Sequence, residues 1–169
     1  DSRIAQLYEG ANGIQALDLV GRKLPAHMGR NLRAFFHPVD RFIQENMADP
    51  GVGNLAMALA KSFGRLQSAT AWIAENGLTD PEQAGAAATD YARLFGLVAL
   101  GFMWAQMAKV ARETLDAGTD DAAFYEAKLV TARFYMERVL PETSSLLSKL
   151  TAGKESLMAL DAEAFARAQ

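Results

Sequence analysis

The residues best suited to chemistry stand near the front of the chain, in the run Tyr8-Glu9-Gly10-Ala11-Asn12-Gly13. Glu9 is a lone carboxylate between an aromatic side chain and a glycine. A carboxylate is one of the side chains that can accept a proton in a reaction. The same six residues also read as a loop that turns the chain into a helix. On that reading Gly10 and Gly13 permit unusual dihedrals, Asn12 caps and Glu9 is merely solvated.

Other chemistries are narrowed by what the sequence lacks. There is no cysteine, which removes disulfides, thiolate nucleophiles and zinc–thiolate sites. The two histidines, His27 and His37, have no glutamate three residues upstream, so the pattern of a di-iron bundle is missing and no metal site is expected. Ser144 and Ser145 have no evident His and Asp companions and read as helix surface near Pro141. Arg30, Arg33, His37 and Arg41 recur at helical spacing opposite Phe35 and Phe42. They fit either a solvated helix face or a site for an anion or acidic partner.

Composition sets the class. The 169 residues suit one domain, half are hydrophobic, and the formal charge is -3. Nucleic acid is not an expected partner, since that needs a basic surface. No signal-peptide layout is visible, and the lack of cysteine fits a reducing compartment such as the cytoplasm. The most apolar stretch, LFGLVALGFMWAQMA between Arg93 and Lys109, is shorter than the about 20 residues a bilayer span requires. It reads as a buried helix rather than a membrane span.

The elements that must position these residues are helices. Ala, Leu, Met, Glu, Arg and Gln dominate, and no stretch alternates over strand lengths. The sequence predicts an all-α, antiparallel bundle of about five to six helices. A first helix is capped by Asn12 and ended by Pro25. A second covers about 27–48, with Pro38 expected to kink or split it. A third covers about 54–76, with Leu55, Leu59, Phe63, Leu66, Thr70 and Ile73 on one stripe and Gly77 as C-terminal cap. A fourth, about 81–117, has Asp80 as N-cap and Pro81 in its first turn. It is apolar almost all round in the middle, with Phe102, Met103, Trp104 and Met107 as core filling, and is expected to be the central element. A fifth covers about 121–150, capped by Asp120 or Asp121 and kinked or divided at Pro141. A short last helix holds Leu157, Leu160 and Phe165.

The wording around Glu9 carries a resemblance. IAQLYEGANGIQALDLVGRKL is similar to the end of the catalytic core of acyl-CoA dehydrogenases, in the subgroup with an additional helical C-terminal domain. That subgroup often reads YEGTNGIQALDLVGRKL, so Ala11 stands where threonine is usual. The likeness covers residues 3–24 at motif level and 26–169 more loosely, including GRNLRAFF and the long apolar helix. It implies that residues 1–25 end a catalytic core and that 26–169 form the helical C-terminal domain.

The resemblance implies α,β-dehydrogenation of an acyl-CoA thioester, with FAD and an electron acceptor in the parent protein. Glu9 then looks like the base. Tyr8 and Gly10 look like substrate-binding residues, with Tyr8 lining the acyl pocket and Gly10 letting the backbone approach the thioester. Ala11 and Gly13 fall where the family approaches the flavin, and here could do so through backbone only. The sequence holds no Gly-rich phosphate loop and no strand-rich segment, so the chain reads as a C-terminal piece that binds no FAD and is inactive alone. Its helical domain would brace the core or its dimer in a homo-oligomer. Residues 1–24 are expected to be poorly packed, or held by contacts other than their natural ones. The alternative reading is a self-standing helical module for protein interaction.

Overall fold

The computed structural model describes Arg3 and residues 11–167, with side-chain exposure defined as far as Phe165. Tyr8, Glu9 and Gly10 lie outside the described residues. In chain order the helices are α1 (Asn12–Asp18), α2 (Arg30–Asn46), α3 (Gly53–Gly77), α4 (Pro81–Ala117), α5 (Ala122–Phe134), α6 (Thr143–Leu150) and α7 (Ala162–Arg167). The described residues form no strand, as expected for an all-α chain.

α4 is the axis of the bundle. It starts as its sequence predicts: Pro81 occupies the first turn, and the Asp80 carboxylate accepts the Glu82 backbone N–H at 3.0 Å. Its inner side carries Tyr91, Leu94, Val98, Gly101, Ala105, Ala108 and Ala111, all buried. α3 returns alongside it with Ala56, Leu59, Phe63, Leu66, Ala69 and Ile73 buried. The Tyr91 hydroxyl meets Thr70 Oγ1 at 2.8 Å, so the deepest aromatic of this interface leaves no polar atom unpaired.

Gly77 differs from expectation. It does not take the left-handed conformation of a cap but stays helical, and a Cβ there would fall 2.8 Å from the Ala84 Cβ. What the site needs is close approach of α3 to α4 rather than a special dihedral. Left-handed backbone appears before α2, where His27, Met28 and Gly29 all have positive φ. For His27 and Met28 this is a strained conformation. Arg33 donates to the Met28 carbonyl at 2.7 Å and holds the turn in place.

α2 runs without a split through Pro38, where a kink or a split was expected. Ala34 and Pro38 are both exposed, so the carbonyl that loses its helical donor faces water. The buried edge of α2 is Val39, Phe42 and Ile43, with Phe35 stacked on Phe95 at 4.9 Å between ring centres. Met47, at the C-terminal cap of α2, is 45 % exposed.

Pro141 divides the fifth segment as expected. α5 ends at Phe134, a π turn covers Tyr135–Val139, and a 3-10 turn covers Leu140–Glu142 before α6. Asp121 sits at the N-cap position without a side-chain cap bond. α6 is clipped to α4 by Arg93 to Glu142 at 2.6 and 3.0 Å and by Lys149 to Asp90 at 2.8 Å. The last helix is shorter than expected. Leu157 and Leu160 fall in turns before α7, and with Phe165 they are exposed. The tail is instead pinned by polar contacts: Lys154 bridges Asp80 and Glu82, and its backbone N–H reaches Gln83 at 3.1 Å.

Poor packing of the front segment is not what is found for residues 12–24. Ala16 and Val20 are buried in the same core as α3 and α4. The helix starts after Ala11, whose carbonyl accepts the Gln15 N–H at 2.9 Å, so Asn12 lies inside the first turn and does not cap it. Arg22 and Lys23 both pair with Asp18 one turn earlier. The hydrogen bond from Arg22 holds the Asp18 carboxyl down at about 2.

Two outcomes follow. Burial pushes the Tyr91 phenol up to about 12, against an ordinary value of 10.0. A raised folded pKa contributes stability that is complete below pH 10 and is lost as pH climbs toward 12. A thermal-melt series is expected to show this alkaline loss, and Tyr91→Phe to flatten it. Ala16→Asp, which buries an unpaired charge, is expected to cost about 2–4 kcal/mol. It should also speed amide hydrogen exchange across residues 13–20; unchanged exchange there would show that α1 is not docked.

Candidate functional site

Of the residues singled out in the front run, the structure describes Ala11, Asn12 and Gly13, of which Ala11 and Gly13 are the cofactor-facing candidates. Ala11 is half-buried at the start of α1. Gly13 is exposed in the first turn without a positive φ, and a Cβ added there would meet nothing within 4 Å. Neither brings a polar side chain to a ligand. They precede a segment that packs into the core through Ala16 on α1 and Val20 in the turn after it.

α1 lies along a particular side of α4. The Leu17 side chain comes within 4.0 Å of the Cβ position on Gly85. At 100° per residue, Gly85, Ala92, Gly96, Met103 and Val110 share one side of the helix. α1 therefore approaches this side near its start, although Gly85 itself stays exposed, and the later part of the stripe is open. Leu100, Met103 and Val110 are 53 %, 50 % and 57 % exposed. Met103 is thus not core filling, while Phe102 is buried and Trp104 and Met107 are half-buried. No charged residue lies between Arg93 and Lys109. Ile14 and Leu17 add exposed apolar surface on α1 itself. Sequence reasoning treated this part of α4 as uniformly buried, because apolar composition does not say which side a neighbour covers. By length and composition α4 could cross a membrane. Its inner side, however, is interlocked with α3 and α6 as a core helix.

Two open grooves border α4. One, of about 420 Å³, lies between α2 and α4 and is lined by His37, Arg41, Glu45, Phe102 and Gln106. It gathers two members of the basic stripe. Arg33 is turned away to the Met28 carbonyl, so the four basic residues do not form one site. The other, of about 400 Å³, lies where the loop after α2 meets the end of α4 and is lined by Asp49, Gly51, Lys109, Arg112, Glu113 and Asp116. Asp49 is committed to that loop. Its carboxylate accepts the backbone N–H of Gly51 at 2.7 Å and of Val52 at 3.0 Å, and these bonds lower its pKa. No group of three His, Asp or Glu residues able to hold a metal occurs among the described residues. Ser144 and Ser145 are exposed on α6, as expected.

The comparisons with known proteins point one way. The model of the family described as acetyl-CoA dehydrogenase C-terminal like matches residues 35–161. The chain is 31 % identical to a 3-methylmercaptopropionyl-CoA dehydrogenase of Ruegeria pomeroyi, over 94 % of this chain and 27 % of that protein. It is 29 % identical to the broad-specificity linear acyl-CoA dehydrogenase FadE5 of Mycobacterium tuberculosis, over 98 % of this chain and 28 % of the relative. A butyryl-CoA dehydrogenase of Syntrophomonas wolfei is 28 % identical, again over 98 % of this chain and 27 % of the relative. The chain thus spans little more than a quarter of the length of the curated relatives it matches. With the family match running from α2 to the turns before α7, this chain belongs to the acetyl-CoA dehydrogenase C-terminal like family.

Proposed function

We propose that this chain is the C-terminal part of an FAD-dependent acyl-CoA dehydrogenase that oxidises acyl-CoA thioesters between the α and β carbons. The observation that carries the reading is the coincidence of two independent likenesses. The family match covers the helical domain, and the Tyr8-Glu9-Gly10 run stands immediately before it, where the resembling proteins end their catalytic core. Matching dehydrogenases that extend well beyond the length of this chain support the same view.

In this reading Glu9 is the base. It removes the α-proton of the thioester, a weak acid that needs a base poised near neutrality. The acyl pocket closing over Glu9, with Tyr8 as part of its wall, would supply the desolvation that raises the carboxyl. Gly10 lets the backbone come up to the thioester carbonyl, whose oxygen gains charge as the proton leaves. FAD, bound by the rest of the parent protein, would supply the hydride acceptor. Ala11 and Gly13 have only backbone groups to offer it, and the two open grooves of this chain are not shaped to enclose a flavin. The chain by itself is therefore proposed to be inactive, and the parent cytoplasmic.

The helical domain would brace the core. α1 follows the Glu9 run in sequence, and with the turn after it enters the shared hydrophobic core through Ala16 and Val20, which would tie the front run to α4. The uncharged open part of the α4 stripe continues from α1 and is the face best suited to meet the preceding domain.

In the full-length parent, Glu9→Gln is expected to lower the rate of acyl-CoA oxidation by about 10²–10⁴-fold while FAD stays bound. Full activity in that variant would remove Glu9 from the chemistry. The 169-residue chain alone is expected to purify colourless and helical by circular dichroism; stoichiometric flavin absorbance would contradict the assignment of the flavin site to the missing part. Met103→Glu in the parent is expected to increase proteolytic nicking between core and helical domain, and equal nicking would place the bracing contact elsewhere.

A further inference from the structure

α5 carries a second outward face that nothing above uses. Its inner side is set by Ala132, which is fully buried, with Tyr125 and Leu129 half-buried. Directly opposite run Ala123, Ala127, Val130 and Phe134, all exposed, with Val130 at 57 % and Phe134 at 58 %. They are separated by four, three and four positions, the spacing of a helix seam that meets another helix. Glu126 and Arg133 flank this seam on one side. Both are exposed, and neither forms an ion pair or side-chain hydrogen bond among the described residues.

The seam is complementary to itself when reversed. Set antiparallel against a second α5 across a two-fold axis, Phe134 lies over the second copy's Ala123, and Ala127 lies over the second copy's Val130. A large side chain thus meets a small one at each layer. In the same register Glu126 faces the second copy's Arg133, and Arg133 faces its Glu126. Two unpaired opposite charges are satisfied twice by one arrangement. A parallel register would set Phe134 against Phe134, and would carry Glu126 and Arg133 of the two copies to opposite sides of the seam, where they do not meet.

We infer that α5 is a self-association surface, through which two copies of this chain pair antiparallel along Ala123, Ala127, Val130 and Phe134 with reciprocal Glu126–Arg133 ion pairs. The inference rests on α5 alone and not on the dehydrogenase reading. About three helical turns of contact is shorter than a standard interface, so the pairing is weak and concentration-dependent, with a dissociation constant on the order of 0.1 mM.

Sedimentation velocity of the 169-residue chain across a concentration series tests it, with circular dichroism confirming that each variant stays helical. Glu126→Arg alone and Arg133→Glu alone each place like charges together at two symmetric points and are expected to raise the dissociation constant about ten-fold. The double exchange, Glu126→Arg with Arg133→Glu, is expected to restore it to within about two-fold. A chain that remains monomeric up to about 1 mM overturns the inference. So does a dimer indifferent to all three variants; if that dimer is lost in Met103→Glu, the association belongs to the open side of α4 instead.

Discussion

The fold depends on how closely other helices can come to α4. Its inner side alternates a few large residues, Tyr91, Leu94, Val98 and Phe102, with Ala87, Ala88, Gly101, Ala105, Ala108 and Ala111. Small residues lower the surface of a helix, so neighbours on several sides can pack against it without a void. At Gly101 the consequence is direct: a Cβ would come within 3.2 Å of the Leu140 side chain, which fills the space. α1, α3, α5 and α6 are all placed by their distance from this one helix, while α2 packs mainly on α3. A larger side chain on its inner face would push α3, α5 and α6 away together.

Apolar contact sets the distances, and polar contacts set the register. Thr143 is fully buried where α6 begins; its hydroxyl donates to the Leu140 carbonyl at 2.8 Å and lies 3.2 Å from Ser62 on α3. Arg65 donates to the same hydroxyl at 3.2 Å. Such a group is tolerated in a core only when its partners are in place, so it favours one alignment of α3 against α6 over a sliding one. Lys154 works at the other end of the molecule, where Asp80 and Glu82 at the head of α4 raise its pKa by hydrogen bonding. The N-terminal end of α4 favours these carboxylates, and the tail is tied down without burial of any apolar residue between 151 and 165.

Local signals proved readable where the deciding partner lies within a few residues. Asp80 with Pro81 marked the start of α4, and Pro141 marked the division of the fifth segment, because capping and the missing proline N–H act over one turn. The apolar stripe of α3 was read correctly for the same kind of reason, since its period is a property of the helix alone. Gly77, Met103, Leu157 and Leu160 were misread for the opposite reason. Gly77 looked like a cap, but its role comes from Ala84 across the helix pair. Met103 looked like core, but the inner side of α4 was already filled. Leu157 and Leu160 looked like a helix stripe, but Lys154 anchors that segment by charge and leaves them exposed. Of the candidate site, Glu9 is proposed from the wording of the run it shares with Tyr8 and Gly10, and those three lie outside the described residues.

The sequence alone determined the helical class, the approximate span of α2 to α4, α4 as the longest and most apolar element, and the family signature at the front. Each follows from short-range chemistry: propensity, period, caps and the identity of adjacent residues. Tertiary structure alone decided that α1 shares the core of the other helices, that one side of α4 stays open beyond it, and that α5 turns an uncharged seam outward. Those outcomes depend on which helix arrives at which face. A side chain's burial is set by neighbours far away in the chain, and helical periodicity describes a face without naming its occupant.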